Sequence, residues 1–297
     1  MSKVIITGGA GFIGSHLART LITQGYQVHI IDNLRHRSAE HLPAEAVVHR
    51  LDIRQLKDML PIFAGSELVF HLAAWPEVTF SLEHPLTTHN VNVNGTLKVL
   101  EAARRSGVRK VIFSSSASVY GEPTSLPLDE GLPARPGSPY ALHKYIGERY
   151  MRLWSELYGL PTVSLRYFNV YGPGQNDEGG YALVVARFLK QRTAGESLTI
   201  TGDGSQTRDF VHVSDVARAN LLAAAESAPA RGEAINIGSG SRTSINELAG
   251  LIGGERRYIE KRLEPSDSEA DINRAQDLLG WRPEVSLKEG LDQLKAG

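Results

Sequence analysis

The chain has 297 residues, 41% of them hydrophobic, enough for a large core and for one or two domains. Its 32 basic and 33 acidic side chains leave a net charge of -1, which gives no support to a nucleic-acid or membrane-surface partner. There is no cysteine, so disulfides, thiolate metal sites and a thiol nucleophile are excluded. No apolar run approaches the ~18 residues of a membrane helix, and the first strand-like run starts at Lys3, so no signal peptide and a cytoplasmic location are expected.

In chain order, Val4-Ile5-Ile6-Thr7 reads as a strand, and glycines 8, 11 and 14 follow it. Phe12, Ile13, Leu17, Leu21 and Ile22 then recur at helical spacing, Gly25 ends that helix, and Val28 to Ile31 forms a second strand closing on Asp32. Gly8 allows a sharp turn, Gly11 lets backbone approach a pyrophosphate, and Gly14 lets the helix pack against the sheet. The helix N-terminus offers free N–H groups to phosphate. Asp32 stands about where an acid accepts hydrogen bonds from an adenosine ribose, and its charge disfavours a 2′-phosphate, so NAD rather than NADP is expected.

Ala46 to Leu51 reads as a third strand, with Asp52-Ile53 in the loop expected over an adenine. Leu68 to Leu72 is a fourth, ending in small Ala73-Ala74, where backbone could lie against a cofactor. A long helix is expected over 84–105, a fifth strand over 108–114, a helix over 140–158 and a sixth strand over 161–167. This alternation predicts an α/β fold with a doubly wound parallel sheet. Beyond Tyr167 glycine-rich loops intervene, with a helix over 181–192, strands over 210–213 and 234–237 around a helix over 215–227, and a helical tail. Both of those strands are expected to return to the first unit. The division is then 1–167 with 210–240 as the dinucleotide-binding part, and 168–209 with 241–297 as a smaller, discontinuous part.

Tyr140 and Lys144 lie one helical turn apart and share a face. An ammonium beside a phenol lowers its pKa, which suits a general base near neutral pH. Ser114, Ser115 and Ser116 end the preceding strand, and one of their hydroxyls could bond the reacting group; spacing does not separate the three. None of the ten histidines shows a ligand pair with an accompanying acid, so no metal is expected.

The segments TGGAGFIGSH (7–16), Asp32-Asn33, Leu51-Asp52-Ile53, His71 to Ala74, Asn90 with Gly95-Thr96, FSSSASVYG (113–121), YALHK (140–144), RYFNVYGPGQ (166–175), GDGSQTRDFVHVSDVA (202–217) and LLGWRP (278–283) span nearly the whole chain. By them it resembles the extended short-chain dehydrogenase/reductases of the NAD-dependent epimerase/dehydratase family. The resemblance implies a Rossmann fold, bound NAD and 4-epimerisation of a UDP-sugar through a 4-keto intermediate. UDP-glucose and UDP-galactose are the first expectation; their N-acetylated forms and UDP-glucuronate are the alternatives. It implies Tyr140, Lys144 and Ser116 as catalytic. It adds Phe12, Ile13, Asn33, Asp52, Ile53, Leu72, Ala73, Ala74, Asn90, Ser114 and Tyr167 to the glycines and Asp32 as cofactor contacts. Asn169, Arg208, Arg262 (or Lys261), Glu264 and Ser268 are the implied substrate contacts, with small Ser268 leaving room for an N-acetyl group at the sugar C2.

Resembling dehydratases carry an Asp-Glu pair after the active-site hydroxyl, and decarboxylases a Glu; Ala117 and Ser118 stand there. A dehydratase, a decarboxylase and a non-catalytic NAD sensor are the competing readings. Pro76-Glu77 departs from the commonest family sequence. The resemblance also implies a homodimer formed by the helices over 84–105 and 140–158. Trp154 is expected on their outer side.

Overall fold

In the computed structural model, which describes residues 2–123, 125–175, 183–225, 227–260 and 267–296, Lys3–Thr7 lies inside a seven-stranded sheet. From edge to edge the strands are Arg231–Ile237, Thr162–Tyr167, Lys110–Ser116, Ser66–His71, Lys3–Thr7, Gln27–Asp32 and Val47–Arg50. Every neighbouring pair is parallel. The chain runs outward from Lys3–Thr7 through Gln27–Asp32 to Val47–Arg50, then crosses back to Ser66–His71 and continues the other way. This is the doubly wound sheet expected, and the reversal opens a crevice at the carboxyl ends of Lys3–Thr7 and Ser66–His71.

The strands read as continuous apolar runs because helices cover both faces. Val4, Ile6, Ile30 and Phe70 pack on one side with Leu17, Leu21 and Val216. Ile5, Ile31, Val69 and Val111 pack on the other with Met59, Leu100 and Met151. Helix Pro139–Tyr158 starts at Ser138, whose Oγ accepts the Ala141 N–H at 3.2 Å, and stops at left-handed Gly159. Such a serine cap contributes about 1 kcal/mol and sets where Tyr140 enters the helix. Trp154 is 8% exposed and packs between Tyr150 and Tyr158, so it is a core residue rather than the outer residue expected. Among the described residues, Leu82, Leu86, Leu142, Leu153 and Leu157 are leucines of these helices that stay exposed.

The helix expected over 84–105 is interrupted. Pro85–His89 leads into a π-helical turn, Asn90–Gly95, before Thr96–Arg105. π turns are favoured where a side chain must be re-aimed. Here Asn92 turns inward to bond both the N–H and the carbonyl of Trp75, at 2.7 and 3.0 Å. Helices Leu56–Phe63 and Val78–Glu83 had no counterpart in the sequence reading: the first contains Pro61, and the second has only six residues.

Arg231–Ile237 takes the sheet edge, whereas Phe210–His212 does not join the sheet. It pairs in parallel with Asn169–Tyr171, just past the end of Thr162–Tyr167. Phe168 gives its N–H to Ile237, which ends the sheet and turns the chain away from it. A further core of Tyr171, Phe188, Leu198, Phe210, Leu248 and Leu291 joins the helices Val184–Thr193, Ile245–Ile252 and Leu287–Ala296. Trp281 of the LLGWRP stretch is fully buried and donates its indole N–H to the Asp215 carbonyl at 3.0 Å.

Candidate active site

A cleft of about 800 Å³ runs along the carboxyl ends of the strands, at the reversal point. Gly8, Gly11, Phe12, Ile13 and Gly14 line one end. Gly8 has φ +72°, and a Cβ there would lie 2.6 Å from the Ala73 nitrogen; one on Gly14 would lie 2.4 Å from the Gly8 carbonyl. The turn therefore tolerates no side chain at either position, and Gly11 is left facing the cleft. Asp32 Oδ2 accepts the Ala10 N–H at 3.1 Å and Oδ1 the Leu34 N–H at 2.8 Å. Both oxygens are oriented and each keeps acceptor capacity for a diol. Asp52 is gripped by Arg54 through two bonds of 2.9 and 2.8 Å, which hold its carboxyl below the usual range. These residues fit a dinucleotide with an unphosphorylated ribose.

At the other end the structure separates the three serines. Ser114 uses its carbonyl to accept Lys144 Nζ at 2.6 Å. Ser115 is buried and donates to Glu148 Oε1 at 2.5 Å. Ser116 alone faces Tyr140: its hydroxyl bonds the phenol and lowers the pKa, while burial pushes it the other way more strongly, up to about 12. Lys144 is pulled down to about 8 by burial, against the upward effect of Glu148. The lysine does not hold the phenol's pKa down as the spacing implied. Its Nζ is 5.9 Å from the Tyr140 ring centroid and is committed to the Ser114 carbonyl. Desolvation wins because both groups lie inside the fold. A working phenolate then needs further positive charge in the cleft.

Asn33, Ile53, Leu72, Ala73, Ala74, Tyr167, Asn169 and Arg208 all line the cleft with Ser114, Ser116, Tyr140 and Lys144. Asn90 does not: it is exposed and bonds Asn94, and its neighbour Val91 lines the cleft instead. Ser268 stands behind Asn169, accepting its Nδ2 at 3.3 Å, and is not on the cleft wall. Lys261, Arg262 and Glu264 lie outside the described residues. Missed from the sequence were Arg35 and Trp75. The Arg35 guanidinium lies 4.7 Å from the Trp75 ring centroid, and Phe80 stacks on the same indole at 4.2 Å. The Pro76-Glu77 departure just beyond Ala73-Ala74 was the available signal for the Trp75 neighbourhood.

Residues 4–238 match the model of the NAD dependent epimerase/dehydratase family. The chain belongs to that family. It is 40% identical over 304 residues to a UDP-glucose 4-epimerase of Mycolicibacterium smegmatis, covering 97% of this chain and 96% of that one. The crystal structure of a Thermotoga maritima UDP-glucose 4-epimerase with UDP-glucose superposes with TM-score 0.93 at 41% identity, over 97% of this chain and 96% of that one. A Methanobrevibacter ruminantium UDP-N-acetylglucosamine 4-epimerase, in complex with UDP-N-acetylmuramic acid, gives TM-score 0.93 at 36% identity, over 99% and 98%. The Rossmann fold and the NAD cofactor read from glycines 8, 11 and 14 with Asp32 are those of the family.

Proposed function

We propose that the chain is an NAD-dependent UDP-sugar 4-epimerase acting on UDP-glucose and UDP-galactose. The observation that carries this is the Ser116–Tyr140–Lys144 cluster at the cleft's end, followed by Ala117 and Ser118 rather than an acid pair. Tyr140 Oη takes the proton of the sugar 4-hydroxyl, and Ser116 bonds the same oxygen. Lys144, anchored on the Ser114 carbonyl, supplies positive charge beside the phenol. When bound, NAD would accept the hydride from C4 and give it back to the opposite face of the 4-keto carbon, and its positive charge would favour the phenolate. After the 4-keto sugar presents its other face, Tyr140 returns the proton to the C4 oxygen. Arg208 suits the diphosphate, since a guanidinium fork matches phosphate geometry. No carboxylate stands at 117 or 118 to carry the proton at C5 or a decarboxylation.

The test is the purified chain given a panel of UDP-sugars without added dinucleotide, with products identified by NMR. UDP-glucose and UDP-galactose should interconvert, no 4-keto-6-deoxy sugar should form, and denaturation should release NAD. NADP as the sole dinucleotide would contradict the role given to Asp32. The N-acetylated pair should react too if small Ser268, standing behind Asn169, leaves that cleft-lining side chain room to give way. Ser268→Tyr should then lose that activity selectively; equal loss on both pairs would remove Ser268 as the gate.

The reading includes a homodimer through the exposed faces of Val78–Glu83, Pro85–His89 and Pro139–Tyr158. Leu82, Leu86, Leu142 and Leu157 there need cover. A monomer mass by light scattering at micromolar concentration would count against it.

A further inference from the structure

Strand Lys3–Thr7, which carries the glycine turn, lies between Gln27–Asp32 on one side and Ser66–His71 on the other. At ordinary strand spacing the two outer strand ends are roughly 10 Å apart. The segments that leave them nevertheless meet. The Arg35 guanidinium, shortly after Asp32, lies 4.7 Å from the ring centroid of Trp75, shortly after His71. The His36 ring meets the same indole edge-on at 4.9 Å. Gly8, Gly11, Arg35, His36 and Trp75 line one cleft, so the contact crosses in front of the dinucleotide turn.

Both halves of the crossing are firmly held. Leu34 has φ +56°, the one non-glycine residue with positive φ among the described residues. Such a conformation persists only where the surroundings enforce it, and it clusters at ligand clamps. Here Asp32 Oδ1 accepts the Leu34 N–H at 2.8 Å, and Asn33 Oδ1 accepts the Arg35 N–H at 3.1 Å. Further along, Arg37 Nη2 donates to the Gly174 carbonyl, so segment 33–37 is moored at two places, Trp75 and Gly174. On the other half, Asn92 holds both the N–H and the carbonyl of Trp75, and Phe80 stacks on the indole at 4.2 Å. The indole N–H donates to Glu77 Oε2 at 2.6 Å. A carboxylate on that N–H enriches the negative face of the ring, which favours a guanidinium there.

We infer that Arg35 and Trp75 form a clasp that closes the cleft across the glycine turn and retains the bound dinucleotide. The inference rests on the NAD site and not on the sugar reaction. A dinucleotide on the glycine turn leaves when this crossing opens, and opening separates a cation from an aromatic face that is 7% exposed. Cation–π attraction is strongest on tryptophan and grows as water is excluded. Contacts of this kind act mainly on dissociation rather than on association.

The experiment measures NAD release. Wild type, Arg35→Ala, Arg35→Lys, Trp75→Leu and the Arg35→Ala/Trp75→Leu double variant are loaded with NAD and freed of excess by gel filtration. Released NAD is trapped by alcohol dehydrogenase with ethanol and followed as NADH absorbance. Wild type should keep its NAD through the column. Arg35→Ala and Trp75→Leu should each release it about three- to tenfold faster, and the double variant no faster than the quicker single one. Arg35→Lys should recover at least half of the effect, because an ammonium also binds an indole face. If Trp75→Leu does not fold, Trp75→Phe takes its place in the cycle, with a ring that attracts a cation less. Unchanged release in Arg35→Ala, or a wild type that loses NAD on the column, would overturn the clasp. So would additive single effects, or faster release in Arg35→Ala with none in the Trp75 variant, which would make Arg35 a direct phosphate contact instead.

Discussion

Tyr140→Phe is expected to lower turnover by about 100-fold or more while the fold and nucleotide-sugar binding survive. The substitution removes one oxygen and nothing else. The ring stays beside Lys144, the backbone N–H stays on Ser81 Oγ, and the Ser138 cap still starts the helix. Loss of a single phenol hydroxyl typically costs about 1 kcal/mol, so thermal unfolding should move by only a few degrees. What is lost is the atom proposed to take and return the proton of the sugar 4-hydroxyl. Initial rates of UDP-galactose conversion, read beside a calorimetric titration with UDP-glucose, check both halves. Near wild-type turnover would end the mechanism. Lost turnover with lost binding would place Tyr140 in the architecture rather than in the chemistry.

The second large effect lies about two turns further along the same helix. Glu148 is buried with Arg166, accepting from Nε at 2.8 Å and Nη2 at 2.7 Å as well as from Ser115. The guanidinium also covers the Tyr120 ring at 4.8 Å, and Tyr120 donates to Asn236 at 2.7 Å. This chain of contacts ties helix Pro139–Tyr158 to the strands Lys110–Ser116, Thr162–Tyr167 and Arg231–Ile237. Removing one partner of such a pair leaves a desolvated charge behind, and typically costs about 3–5 kcal/mol. Glu148→Leu should therefore lower stability by about that much, read as a reduced urea midpoint at unchanged slope. Glu148→Leu with Arg166→Met should recover most of the loss, since no charge is then stranded. A single-variant loss below about 1 kcal/mol would show that water or rearrangement relieves Arg166. Ser115 is held by the same carboxylate, so the serine run that carries Ser114 and Ser116 is expected to loosen as well.

The parts of the site legible in the sequence are those in which local chain geometry does the work. The Gly8, Gly11 and Gly14 spacing places a tight turn between strand and helix whatever surrounds it, and Asp32 follows at the end of the next strand. Tyr140 and Lys144 share a face because of helical periodicity alone. The seven strands were nearly all visible as apolar runs, since strands covered on both faces carry no polar alternation.

Other features depended on partners far along the chain. That Ser116 rather than Ser115 faces Tyr140 depended on Glu148 claiming Ser115. The inward turn of Asn92 arose from a π-helical turn that no spacing rule announces, and Trp75 became a fixed wall only with Arg35 on one side and Phe80 on the other. Adjacency of Tyr140 and Lys144 on a helix also says nothing of burial, which pushes the phenol's pKa up and pulls the ammonium's down. The sequence by itself determined the order of the sheet strands, the dinucleotide turn and the candidate catalytic residue types, because these follow from backbone stereochemistry and short-range periodicity. The tertiary structure decided which hydroxyl, which carboxylate and which charge state face the cleft, because those depend on solvent exclusion and on contacts between residues far apart in the chain.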